Sequence, residues 1–126
     1  MADVEPKTRL DRLVQVRERG EDAALENLAR AQSSLGRATE RLAGLRQEAR
    51  SDGRGRGAAQ LWILEEAAHV RALHDVRNAE REVASAMKKE QQARVGYTAA
   101  HRDAEAARRV QEKKRTEIKE IGRAHV

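Results

Sequence analysis

The stretch Ser51-Asp-Gly-Arg-Gly-Arg-Gly57 decides how this chain is read, because it concentrates three glycines and two arginines in a sequence otherwise poor in loop-formers. It has three readings: a phosphate-cradling loop, an arginine–glycine segment for nucleic acid, or the tip where one long helix turns back on another. A phosphate loop needs a preceding strand and a G-x-G-x-x-G or P-loop spacing, and glycines at 53, 55 and 57 give neither. A single-strand nucleic-acid site needs aromatic platforms or a longer basic repeat. The flanking sequence favours the tip. Glycine permits the reversal, and the polar residues keep it in water.

On either side of the tract the apolar residues recur at helical spacing. From Leu10 the positions 10, 14, 17, 21, 24, 28, 31, 35, 38, 42, 45 and 49 alternate steps of four and three. They hold mostly Leu, Val and Ala, with a polar break at Arg17 and Glu21. This is a heptad seam. Positions 76, 79, 83, 86, 90, 93, 97, 100, 104 and 107 repeat the rhythm, mainly with Ala and Val. Upstream of them Ile63, Ala67, Val70 and Leu73 suggest a continuation of the stripe. Glu26 with Arg30, Glu90 with Arg94, and Glu105 with Arg109 stand four apart, acid first, the favourable order on a helix surface.

The expected fold is all-α: an antiparallel two-helix coiled-coil hairpin with a C-terminal helical overhang, in a single domain of residues 1–126. Helix 1 is expected over about 6–50, the tip over 51–57 and helix 2 over about 58–119. Pro6 stands where a helix start tolerates proline, and Thr8 with Asp11 is a weak capping pair. A turn centred near Arg54 sets Leu45 opposite the Ile63 region, Leu35 opposite Leu73, Leu28 opposite Glu80 and Leu10 opposite Tyr97. The shared length would be about 45 residues, roughly 65–70 Å at 1.5 Å per residue. Helix 2 would then run past helix 1 from about Asp103, carrying the basic run Arg108-Arg-Val-Gln-Glu-Lys-Lys-Arg115. That run reads either as a solvated face or as a docking surface for an acidic partner. Gly20, Gly36, Gly44 and Gly96 fall inside the helices, each at a cost of about 1 kcal/mol relative to Ala.

Composition agrees. The chain is 37% charged, lacks Phe, and has one Trp and one Tyr, too few large side chains to fill a globular interior. The net charge of +5 comes from 26 basic and 21 acidic residues, interleaved as on a solvated helix surface. There is no cysteine for disulfides or thiolate metal sites, no apolar run long enough to span a membrane, and no signal peptide is visible. Read as DNA, Ile121–Val126 followed by a stop matches a common sequencing-adapter string. These six residues are expected to be foreign to the natural chain.

Catalytic chemistry finds no footing. The four histidines form no H-E-x-x-H. Glu66-x-x-His69 matches half of a di-iron helix motif, but helix 1 offers no Glu opposite it near Leu42–Leu45. No Cys–His or Ser–His–Asp set can be shielded from water on two helices. The expectation is no enzyme, no metal and no cofactor. Trp62 either covers the tip end of the seam or anchors an interface.

Three stretches carry a resemblance along the whole chain: "RLDRLVQVRERGEDAALENLARAQSSLGRATERLAGLR", "LWILEEAAHVRAL" after the tip, and "AHRDAEAARRVQEKKRTEIKE" at the end. Together they resemble the FliJ/YscO family of type III secretion proteins. The resemblance implies a hairpin similar to the γ stalk of rotary ATPases. Its termini would enter the pore of a hexameric secretion ATPase and promote assembly and activity. Its other end would contact the cytoplasmic domain of the export gate, and escort of secretion chaperones is a further implied role. Carried over, Leu10, Leu13, Arg17, Arg109, Lys113 and Lys114 would face the ATPase, and Leu42, Arg46, Trp62, His69 and Leu73 the gate. The region around the tip departs from the family in being poor in aromatics. The chain would be cytoplasmic, peripheral at the base of a membrane-embedded apparatus, without membrane insertion or nucleic acid, and monomeric when free. The alternatives are a generic structural coiled coil that self-associates and a basic helical nucleic-acid binder.

Overall fold

The computed structural model describes residues 9–50 and 59–124, and every one of them is helical. Helix α1 spans Arg9–Arg50 and helix α2 spans Ala59–Ala124. The two long helices pack against each other as an antiparallel helical hairpin, with no strand among the described residues. Pro6, Thr8 and the glycine tract lie outside the described residues, so the capping pair and the turn itself are not part of this description.

Two units make up the chain: Met1–Leu28 with Ala93–Val126, and Ala29–Gln92. In the first unit Val14 of α1 and Ala104 and Ala107 of α2 are buried, Ala104 fully. In the second, Leu42 of α1 and Ala79 of α2 are the buried apolar residues. Larger side chains on α1 thus meet alanines on α2, which lets two backbones approach closely. No large side chain among the described residues is fully buried, because two helices cannot surround one.

The seam follows the heptad rhythm with one change on each helix. On α1 the covered position is Glu18, while Arg17 is exposed and pairs with Asp103 at 3.8 Å. On α2 positions 76, 79, 83, 86, 90, 93, 97, 100, 104 and 107 are all at least half-buried. The upstream stripe is different: Ile63, Ala67, Val70 and Leu73 are exposed, and Glu65, Glu66, His69 and Ala72 are the half-buried positions. Extending the heptad back from position 76 gives 72, 69 and 65, so the apolar residues of this stretch stand off the seam.

The register corrects the expected one. In the first unit Asp11 accepts a hydrogen bond from Gln111 and Glu21 meets His101. In the second Arg41 pairs with Glu82 at 3.3 Å and Arg46 with Glu80 at 3.6 Å. Leu10 therefore lies level with the Gln111 region rather than Tyr97, an offset of about fourteen residues, or two heptads. A seam that repeats every seven residues looks the same after such a slide, so apolar periodicity alone cannot fix it. The overhang is correspondingly shorter. Ala104 and Ala107 are buried and Arg115 reaches Asp11 at 3.5 Å, so described residues of α1 accompany α2 well past Asp103, as far as Arg115.

Gly20, Gly36, Gly44, Gly96 and Gly122 all face open space: a Cβ at any of them would meet nothing within 4 Å. None is required by close packing.

Candidate functional site

The first unit presents a polar cluster and, beside it, an open basic surface. Arg108 donates from Nη2 to Glu21 Oε1 at 2.7 Å and from Nε to Glu18 Oε1 at 3.2 Å. His101 donates from Nδ1 to Glu21 Oε2, and its Nε2 lies 3.6 Å from Glu105 Oε1. Tyr97 stacks on the His101 ring, with centroids 5.8 Å apart. These contacts hold the Glu21 carboxyl below its ordinary range; the hydrogen bond from His101 contributes most, then that from Arg108, against a smaller opposing effect of burial. Arg108 is in turn held more firmly protonated, first by Glu21 and then by Glu18.

Around this cluster lie the residues expected to face an ATPase. Leu10 is half-buried at the start of the seam, and Leu13 is 40% exposed. Arg17, Arg109, Lys113 and Lys114 are exposed. A hollow of about 250 Å³ opens here, lined by Leu13 and Arg17 from α1 and by Asp103, Ala106, Ala107 and Val110 from α2. Val110, 52% exposed, was absent from the expected set because its position is off the heptad seam. The same holds for Ala106. Beyond Arg115 the side chains of α2 stand exposed through Ala124, among them Lys119 and Arg123.

The residues expected to face an export gate divide differently. Leu42 is buried at 7% exposure and belongs to the seam. Arg46 is half-exposed in its pair with Glu80. His69 is half-buried, Leu73 is 44% exposed and Trp62 is 53% exposed. Trp62 is flanked by Leu61, Ile63 and Leu64, all more than half exposed. Toward the other end of the described α1, Arg46 pairs with Glu80, well along α2 from this apolar run. A second hollow, of about 400 Å³, is lined by Leu45 and Glu48 on α1 and by Leu64, Ala67, Ala68 and Arg71 among others on α2. Glu65 Oε2 is buried with no hydrogen-bond partner among the described residues.

Among the described residues no three His, Asp or Glu side chains gather to hold a metal ion, Glu66 and His69 included. No described helix is long and apolar enough to cross a membrane.

No curated protein and no solved structure matches the chain. The family model described as "FliJ: Flagellar FliJ protein" matches residues 6–123, nearly the whole length. The match takes in both helices and both exposed surfaces, and it places the molecule in flagellar and type III protein export, in a family of export components rather than known enzymes. This helical hairpin, matched along almost its full length, belongs to the FliJ family.

Proposed function

We propose that this chain is the central stalk of a type III export ATPase, of the flagellar or injectisome kind. It inserts into the hexameric ring by the unit that carries both ends of the chain, promotes ring assembly and turnover, and links the ring to the export gate. The observation that carries this reading is the exposed basic surface of the first unit. Leu13 and Val110 rim an open hollow there, with Arg109, Lys113 and Lys114 on the same part of α2. An acidic, partly apolar ring lumen is the complement of such a surface. Binding the assembled ring more tightly than free subunits would shift the equilibrium toward the ring without any chemistry in the stalk.

The apolar run around Trp62, with Leu73 and His69 further along the helix, is the gate-facing surface in this reading. Four adjacent residues more than half exposed are a costly display unless a partner covers them. Leu42 contributes by holding the seam, and Arg46 by its pair with Glu80 beside the hollow. Secretion chaperones are further candidates for the same apolar surface. The chain works in the cytoplasm, at the base of the membrane-embedded apparatus, and is monomeric when free.

Site-specific photocrosslinking tests the assignment. A photoreactive residue at Lys113 is expected to capture the cognate ATPase, and one at Trp62 the cytoplasmic domain of the gate. Capture of neither partner from either position contradicts the reading.

A further inference from the structure

The observed pairing has a close rival. Sliding α2 by two heptads keeps residues 72–97 of the α2 stripe in phase with the α1 stripe, because the pattern repeats every seven residues. That rival sets Leu10 beside Tyr97, the pairing a short turn within 51–57 would produce. Apolar burial disfavours the rival only in part: the slide takes Ala104 and Ala107 past the first described residue of α1 and brings Glu65 and His69 onto the seam, while Ala72, Ala79, Ala86 and Ala93 stay on it.

The polar residues do distinguish them. In the observed register Glu21 receives Arg108 at Oε1 and His101 at Oε2, Arg108 also reaches Glu18, and Asp11 receives Gln111. In the rival register Glu18 and Glu21 would flank Glu90, gathering three carboxylates on one stripe. Arg108 and Gln111 would slide past the first described turn of α1, at Arg9, and lose their partners. In the observed register the Glu21 side chain is only 13% exposed and both its oxygens are taken by α2, so the slide removes both donors at once. Like charges on a partly buried seam repel strongly, and a buried carboxylate without donors is costly.

We propose that the cluster of Glu18, Glu21, His101 and Arg108 is a register lock, selecting the observed pairing of α1 with α2 against the pairing two heptads away. Polar residues on a coiled-coil seam give up apolar packing and in return specify one alignment. The break in the Leu/Ala pattern at Glu21 is then a specifying element rather than a flaw. The lock also sets how far α2 extends past the described start of α1.

The chain has no cysteine, so Arg12→Cys and Glu112→Cys, both exposed positions, can carry a pair of spin labels on the otherwise unaltered protein. The wild-type background should give a single short distance. Replacing the cluster by leucine (Glu21→Leu, His101→Leu, Arg108→Leu) should add a second population with the labels offset by about 21 Å along the helix axis, fourteen residues at 1.5 Å each, and so at a clearly longer distance, with helix content unchanged. If that variant does not fold, the charge series decides. Glu21→Arg alone should produce the second population, and Glu21→Arg with Arg108→Glu should restore the single short distance. A single short distance in every folded variant would show that something other than the cluster sets the register and would overturn the proposal. So would a swap that fails to restore it.

Discussion

Glu21 on α1 and Arg108 on α2 stand 2.7 Å apart, joining the two helices at a point where the apolar stripe of α1 is broken. Glu21 occupies a position where the heptad calls for an apolar side chain, and it is nearly covered, at 13% side-chain exposure. His101 fills its other oxygen and Arg108 shares itself with Glu18. The hairpin therefore carries a polar group with two cross-helix partners on the seam itself.

The Glu21 carboxyl gives acid sensitivity with a definite sign. Its folded-state pKa lies below the ordinary 4.5, first through His101 and then through Arg108. A group lowered on folding stabilises the fold above its unfolded pKa, and that contribution is lost as pH falls through the folded value. The thermal midpoint followed by circular dichroism should drop on acidification below about pH 4.5, and Glu21→Gln should flatten that part of the curve. Identical acid profiles for the two proteins would contradict the assignment.

Seam packing should dominate stability, because so little else is buried. Leu42, at 7% exposure, is the largest side chain among the buried apolar residues. Leu42→Ala is expected to cost about 2 kcal/mol, the low end for buried leucines, since the gap opens toward solvent. Ala104, fully buried, should resist enlargement: Ala104→Leu forces the helices apart at a cost of about 1–3 kcal/mol. Urea titrations monitored by circular dichroism measure both.

The helical glycines predict gains. Nothing lies within 4 Å of a Cβ at Gly36 or Gly96, so alanine fits without strain. Gly36→Ala and Gly96→Ala should each stabilise by about 1 kcal/mol, the difference in helix propensity. Unchanged or lowered melting temperatures would mean that these positions contact something the free chain lacks.

Trp62 should be nearly irrelevant to folding. It is 53% exposed, so Trp62→Ala is expected to change stability by less than about 0.5 kcal/mol. The same substitution should abolish capture of the gate's cytoplasmic domain in a pull-down. A large loss of stability would instead make Trp62 part of the packed seam.

Much of this architecture was legible in the sequence. The glycine tract between two seven-residue rhythms announced two helices, and the α2 seam from Val76 to Ala107 was placed residue for residue. The register was not, because a slide of whole heptads leaves an apolar stripe unchanged. The information lay in which charged residues face each other, and a one-dimensional pattern does not supply it. The stretch Ile63 to Leu73 misled for a related reason. Its apolar residues also recur at helical spacing, but on a side of α2 that α1 does not cover. That mistake marks the candidate gate surface, since apolar residues off the seam are the ones a partner can reach. Val110 and Ala106, beside the basic run, lie off the seven-residue rhythm, so the pattern gives no sign that they line the hollow with Leu13.

The central claim is that this hairpin acts on an export ATPase, and a titration of the purified cognate enzyme addresses it most directly. Increasing amounts of the chain should raise turnover along a saturating curve while sedimentation shows subunits converting to hexamers. Lys113→Glu with Lys114→Glu, folded as judged by circular dichroism, should require a much higher concentration. Flat turnover and unaltered assembly across a full titration would contradict the stalk assignment.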